Sequence, residues 1–186
     1  MEGQYVSLNI PQKINLTICG VEVFGSQVES APVPPPAPRY NFPNASAQIG
    51  GRTVWLLGGR LCWSDALLYC RRHHWDLLSI HSQDEQMQVE QLIAHTSLSP
   101  LSDHVWLGLR REVMGMRWFW MSGEAVTFDN WRMHPPVFPN PCGGMERDTS
   151  LWSPLPCGEN NNFLCQSAPA QNTTKVYYYS SKDPMP

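Results

Sequence analysis

Six cysteines in a chain of 186 residues limit the fold more than any other feature of this sequence. They can pair in fifteen ways, so the disulfide connectivity stays open at this point. Paired cysteines are typical of an oxidising compartment, and three Asn-x-Ser/Thr sequons at Asn15, Asn44 and Asn172 predict glycosylation during export. We therefore predict an extracellular protein, secreted or displayed at the cell surface. The first residues are not a basic segment followed by an apolar one, so we expect no signal peptide in this chain and interpret it as a fragment.

Charge and hydropathy argue against two classes of interaction. The formal net charge is −3 and the basic residues are scattered, which does not suit a protein that binds nucleic acid. No run of about 18 apolar residues occurs, so we expect no transmembrane segment. The length suits one packed domain with attachments, and the sequence leaves the oligomeric state open.

Proline content and hydrophobic patterning divide the chain into four parts. In residues 1–26, two short runs alternate apolar and polar residues, which predicts a pair of strands. Six prolines among small and polar residues in 27–48 predict an extended linker. Residues 49–166 form the main domain, and the polar residues 167–186 predict a disordered tail.

The main domain has the pattern of an α+β fold. Ser64 is a candidate N-cap for a first helix, and residues 82–85 form a capping-box sequence at the start of a second. Short runs with strand character follow at residues 105–109, 117–121 and 162–165.

The motifs of this domain, in their order along the chain, resemble the C-type lectin-like family. The matching segments are residues 63–70, 76–80, 105–109, 118–120 and 128–131, Cys142, Trp152, Cys157 and residues 163–165. The resemblance implies a C-type lectin-like fold with two helices, short antiparallel strands, a long loop region and two internal disulfides. It implies the pairs Cys70–Cys165 and Cys142–Cys157. It also implies core positions for five tryptophans: Trp106, Trp118, Trp120, Trp131 and Trp152.

Residues 5–11 and 16–25 resemble the closing strands of a fucolectin-type (F-type lectin, discoidin-like) β-sandwich. This resemblance implies that residues 1–26 are the truncated end of an upstream lectin module. The sugar-contacting residues of that module would lie outside this chain. Cys19 would normally pair with an upstream cysteine, so here it either stays free or pairs with Cys62.

The family binds sugar through Ca²⁺, but the corresponding positions of this sequence have lost their carboxylates. The family uses a Glu-Pro-Asn or Gln-Pro-Asp triplet, a Glu before the third cysteine, and a Trp-Asn-Asp motif. Here the triplet falls on residues 135–137 or 138–140, the Glu on Asn140, and the last motif on Trp152-Ser153-Pro154. Ca²⁺ prefers several oxygen ligands with carboxylates among them. We therefore predict no metal or cofactor at the degenerate positions Pro135, Val137, Asn140, Ser153 and Pro154.

Three carboxylates elsewhere in the same region leave an alternative open. Glu146, Asp148 and Glu159 would build a displaced Ca²⁺ site if the fold brought them together. The simpler interpretation is that they are solvated loop carboxylates.

The long loop from Arg132 to Met145 is the candidate ligand-binding loop. Binding residues commonly lie on loops that a rigid scaffold holds, and prolines in such a loop lower the entropy lost on binding. The candidate contact residues are Arg132, Met133, His134, Val137, Phe138 and Asn140. Phe138 has an equally simple alternative role, in which it folds back to fill the core.

These observations lead to one main hypothesis and two alternatives. No nucleophile elbow, phosphate loop or zinc-binding His spacing occurs, so we do not expect an enzyme. The main hypothesis is a non-catalytic extracellular module that recognises a protein or glycan partner without the usual Ca²⁺ site. The first alternative is a carbohydrate-binding lectin, either metal-free or dependent on a displaced Ca²⁺ site. The second is a structural spacer in a mosaic ectodomain.

Overall fold

The computed structural model describes residues 41–112, 117–133, 140–169 and 175–176. The fucolectin-like segment 1–26 and most of the predicted linker lie outside these residues. The helices are α1 (Trp63–His73) and α2 (Gln83–Ala94). The strands are β1 (Asn44–Ile49), β2 (Arg52–Leu61), β3 (Asp76–Leu77), β4 (His104–Arg111), β5 (Trp118–Trp120), β6 (Cys142–Glu146), β7 (Trp152–Leu155) and β8 (Asn161–Gln166).

The strands form one sheet in which β8 lies at the centre. The order is β1-β2-β8-β4-β6-β7, with β3 paired to β8 and β5 paired to β4. The β4–β8 pair is parallel, with Val105 opposite Asn162, and the other pairs are antiparallel. All six residues of β8 are buried, because strands cover both of its edges and both faces pack against the core.

The second helix begins where its capping sequence predicts. The backbone N–H of Glu85 donates to the Oγ of Ser82 at 3.2 Å. In a complete capping box the Glu85 carboxylate would return to the N-cap, but here it accepts from the backbone N–H of His81 at 2.9 Å and from Arg52. The first helix begins two residues earlier than predicted, with Cys62 rather than Ser64 as N-cap and no side-chain cap.

The domain starts earlier in the chain than the predicted position 49. Residues 44–48, assigned to the linker from their polarity, pair with β2 as part of β1. Ala45 and Ala47 are half-buried and Ile49 is buried, so this strand places a narrow apolar face on the domain. Small side chains gave that face a weak hydrophobic pattern.

Tryptophans form much of the core, although two of the five that the family resemblance places there are only partly buried. Trp106, Trp120 and Trp152 have no exposed surface. Trp118 and Trp131 are only partly buried, with ring centroids 4.7 Å apart, at the edge of the core. These two residues pack against the core without being fully buried, so the implied core position holds for them only in part.

Both predicted disulfides are present. Cys70–Cys165 ties α1 to β8 across 95 residues, and Cys142–Cys157 ties β6 to the turn after β7. Cys62 is also disulfide-bonded. Cys19 lies outside the described residues.

Two residues beyond the last strand pack against the domain. The Val176 N–H donates to the carbonyl of Met121 at 2.9 Å, and Arg71 donates to the carbonyl of Val176 at 2.6 Å. Lys175 donates to the carbonyl of Trp75 at 2.7 Å, with its Nζ 4.5 Å from the centroid of that ring. Lys175 and Val176 therefore contact the domain, although they belong to the predicted disordered tail.

Candidate functional site

The described residues at the degenerate Ca²⁺ positions are engaged in contacts within the domain. Asn140 donates from its Nδ2 to the carbonyl of Pro154 at 3.4 Å. Ser153, on β7, donates from its Oγ to Glu146 at 2.9 Å. Pro135 and Val137 lie outside the described residues, and neither they nor their neighbours in 134–139 carry a carboxylate.

Glu146 is held by three partners. Arg132 Nη1 donates to both carboxylate oxygens, at 2.7 and 2.9 Å, and the hydroxyl of Thr149 donates at 2.7 Å. Burial alone would raise the pKa of Glu146. Hydrogen bonds from Arg132, Thr149 and Ser153 outweigh that effect and lower the pKa to about 2. Glu146 is therefore an ionised carboxylate whose negative charge Arg132 already compensates.

This donor set does not fit Ca²⁺. The carboxylate of Asp148 accepts from the Nε of Arg147 at 2.9 Å, while Glu159 lines a separate pocket. Among the described residues, no group of three or more His, Cys, Asp or Glu side chains is placed to hold a metal ion. A metal ion here would have to displace Arg132, whose Nη1 contacts both carboxylate oxygens of Glu146, and the neutral oxygens of Asn140 and Ser153 add little for a hard cation.

The described part of the candidate loop is exposed at its start, whereas its predicted end, residues 142–145, is buried and belongs to β6, because these residues pair with β4 and β7. Arg132 and Met133 are 59% and 75% exposed, and they follow Trp131 directly in the chain. We call Trp118, Trp131, Arg132 and Met133 the Trp131 surface. Of the other predicted contact residues, Asn140 is half-buried, and His134, Val137 and Phe138 lie outside the described residues.

A buried polar cluster surrounds Arg52, and no sequence motif predicted it. Arg52, 4% exposed, donates to Ser79, Gln166 and Glu85 at 2.8–3.1 Å and lies 3.6 Å from Glu124. The one local signal was an arginine at the start of a mainly apolar strand. Its partners are spread over 114 residues of sequence, so the spacing gave no further sign of the cluster.

Part of this cluster has the composition of a hydrolytic triad but not its accessibility. The hydroxyl of Ser79 donates to Glu124 and lies 3.0 Å from His81 Nε2. Ser79 is fully buried, and its Oγ also accepts from Arg52. A nucleophile must reach its substrate, and the buried Ser79 hydroxyl lacks that accessibility.

A polar pocket of about 360 Å³ opens where β4 and β8 begin. Its lining comprises Arg60, Leu101, Ser102, Asp103, His104, Glu159, Asn160 and Asn161. Asp103, Glu159 and Asn160 are exposed at its rim, whereas Ser102 and Asn161 are buried beneath. No local sequence pattern predicts this pocket, because three segments distant in sequence form it.

One of the three predicted glycosylation sites lies in the described part of the chain. Asn44 is exposed at the start of β1, and Ser46 of the same sequon is also exposed. Asn15 and Asn172 lie outside the described residues.

Two helices against a sheet, cross-linked by Cys70–Cys165 and Cys142–Cys157, define a lectin-like domain of the C-type. The model of the Lectin C-type domain family matches residues 60–167, and the chain therefore belongs to this family. The match lies wholly C-terminal to residues 1–26, so the fucolectin-like resemblance gains no support from it.

Individual relatives agree with this assignment. Lithostathine-1-alpha of Homo sapiens is 28% identical over 156 residues, which cover 81% of this chain and 93% of the relative. Snaclec bitiscetin subunit alpha of Bitis arietans is 33% identical over 109 residues, covering 56% and 79% of the two chains. The structure of human lithostathine superposes with a TM-score of 0.60 and 28% identity, covering 67% of this chain and 98% of that one.

Proposed function

We propose that this chain is a non-catalytic extracellular recognition module that binds a protein or glycan partner without the usual Ca²⁺ site. The observation that carries the proposal is the Glu146 cluster. The ionised carboxylate nearest the degenerate Ca²⁺ positions is neutralised by Arg132 and bound by two hydroxyls. Ligand recognition then depends on the protein surface itself.

The Trp131 surface is the best-supported contact region. Trp, Arg and Met are enriched at protein interfaces, and large exposed apolar side chains that lie together often mark such interfaces. Met133 is the more exposed of the two exposed large hydrophobic residues among those described. Because the Glu146 pair holds Arg132 and the Trp118 ring supports Trp131, the surface loses little conformational freedom on binding.

The test compares Met133→Ser with a matched control, Met87→Ser. Met87 is 45% exposed on α2, away from the candidate loop in sequence. The refolded, disulfide-intact chain and both variants would be applied to an array of extracellular protein domains and to a glycan array, each with Ca²⁺ and with a chelator.

We expect binding that survives the chelator, falls at least tenfold with Met133→Ser and is unchanged with Met87→Ser, with both melting temperatures near that of the parent chain. Binding abolished by the chelator would contradict the proposal and favour a displaced Ca²⁺ site. Absence of binding on both arrays would favour the structural spacer.

A second candidate function, a metal-free lectin, is favoured by the polar pocket. Its lining combines carboxylate, carboxamide and imidazole groups, which match the paired donor and acceptor character of sugar hydroxyls. Asn160→Ala tests this candidate on the glycan array. Loss of glycan binding with Asn160→Ala but not with Met133→Ser would assign recognition to the pocket.

A further inference from the structure

Arg110, on β4, places its guanidinium against one of the two described disulfides. Its Nη1 lies 2.8 Å from Cys142 Sγ and 3.2 Å from Cys157 Sγ. The guanidinium also lies over the ring of Trp63, 5.0 Å from the centroid. The contact with sulfur is therefore part of a packed arrangement in which β4 and β6 pair at Arg110 and Cys142.

The Cys70–Cys165 disulfide has different surroundings. Both of its cysteines are fully buried. The carbonyl oxygen of Leu164 lies 3.9 Å from Cys70 Sγ. The nearby Arg71 directs its guanidinium to Asp76 and to backbone carbonyls. Of the two disulfides among the described residues, only Cys142–Cys157 has a cationic side chain in contact with its sulfurs.

A cation at a disulfide changes its reactivity. Exchange begins when an external thiolate attacks one sulfur, and it is faster when the departing sulfur is a more stable thiolate. A neighbouring Arg stabilises a thiolate and lowers the pKa of its thiol. The same contact therefore lowers the barrier to opening Cys142–Cys157.

The two sulfurs are not equivalent. Cys142 is fully buried and lies closer to Arg110, whereas Cys157 is partly exposed between exposed Pro156 and Gly158. We propose that Cys142–Cys157 is a thiol–disulfide exchange site for small thiols of the glutathione type, attacked at Cys157, with Arg110 as the positioning residue for the Cys142 thiolate.

The step is balanced without a further reactant. The thiolate of the small thiol, its proton already lost to solvent, forms a bond to Cys157 Sγ. The Cys142–Cys157 bond breaks, and its electron pair remains on Cys142 Sγ beside the Arg110 guanidinium. A second small thiol then attacks the mixed disulfide, which leaves both cysteines reduced and releases the oxidised small disulfide.

The location of the bond gives this exchange a consequence for the domain. Cys142 is the first residue of β6 and lies near the C-terminal end of the candidate ligand-binding loop, residues 132–145. Opening the bond removes the covalent tie between that end of the loop and the turn after β7. The exchange itself does not depend on the proposed function, and its test uses no ligand.

The experiment is differential alkylation of the full disulfide-intact chain, followed by mass spectrometry, in glutathione redox buffers without denaturant. We expect Cys142 and Cys157 to be labelled before Cys70 and Cys165, and acid-trapped samples to carry glutathione on Cys157. Arg110→Gln should slow opening of Cys142–Cys157 about tenfold, and Arg110→Lys should restore the rate to within about threefold.

The Cys70–Cys165 bond in the same molecule is the internal control. General loosening by a substitution would accelerate both bonds, so the measured quantity is the ratio of the two opening rates. A ratio that Arg110→Gln leaves unchanged, equal opening of both bonds in the parent chain, or glutathione trapped on Cys142 would each overturn the proposal.

Discussion

Arg52 Nη2 donates to Glu85 Oε2 at 2.9 Å, and this buried ion pair joins the start of β2 to the first turn of α2. Removing one partner of a buried pair leaves an uncompensated charge, at a cost of about 3–5 kcal/mol. We therefore expect Arg52→Ala to lower the free energy of unfolding by about that amount in urea titrations. Arg72→Ala, at an exposed position on α1, is the control and should change stability by less than about 0.5 kcal/mol. Similar losses for both variants would contradict this assignment.

Asn162 is the second buried polar residue on which the fold depends. Its Oδ1 accepts from the N–H of Ser102 at 2.7 Å, and its Nδ2 donates to the carbonyls of Leu57 and Gly59. Each unsatisfied buried group costs about 1–3 kcal/mol. Asn162→Ala should therefore lower the free energy of unfolding by about 3 kcal/mol or more, measured by chemical denaturation. Asn160→Ala, two residues away and exposed, should be nearly neutral, and a large loss there would show that the buried hydrogen bonds are not the cause.

The lowered pKa of Glu124 predicts that the folded protein loses stability in acid. Burial raises the pKa of its carboxyl, but hydrogen bonds from His81, Ser79 and Ser122 outweigh burial and lower the pKa from 4.5 to about 2. A lowered pKa stabilises the folded state fully above pH 4.5, and this contribution is lost as the pH falls towards 2.

The measurement is the free energy of unfolding across that pH window for the parent chain and Glu124→Gln. We expect a smaller loss in the variant, which retains the contribution of Glu146. Glu112→Gln, at an exposed carboxylate with a 3.7 Å pair to exposed Arg117, should keep the parent profile. A Glu124→Gln profile parallel to that of the parent would show that this carboxylate does not contribute.

Asn44 predicts a glycan on the edge of the sheet. The sequon residues Asn44 and Ser46 are exposed on β1, the edge strand beside β2. A glycan there would also hinder pairing of this edge with another chain. Expression in a secretory host should give a mass that falls after treatment with an N-glycosidase, and peptide mapping should place a glycan on Asn44. An unmodified Asn44 peptide in the secreted protein would contradict the prediction, and Asn44→Gln provides the matched control.

Much of the fold follows from local sequence signals. Ser82 and Glu85 place the start of α2 because a cap depends on residues three apart. The disulfide pairs came from the resemblance to the C-type lectin-like family, not from local signals. β1 was missed because Ala45 and Ala47 give too weak an apolar alternation. The partial exposure of Trp118 and Trp131 was not predicted, because residue type does not specify how deeply a ring is buried.

The amino-acid sequence determined which chemical groups this protein has available, including the lack of carboxylates at the usual Ca²⁺ positions. It left Glu146 as either a displaced ligand or a solvated side chain. The tertiary structure places Glu146 in an ion pair with Arg132 and in a hydrogen bond with Ser153, because β6 pairs with β7 and the Arg132 N–H donates to the Trp152 carbonyl on β7. Likewise, only the fold places Arg110 on the Cys142–Cys157 sulfurs and Arg52 beside Gln166, 114 residues away. The sequence gives the identity of each side chain, whereas long-range packing determines which partner lies beside it and neutralises its charge.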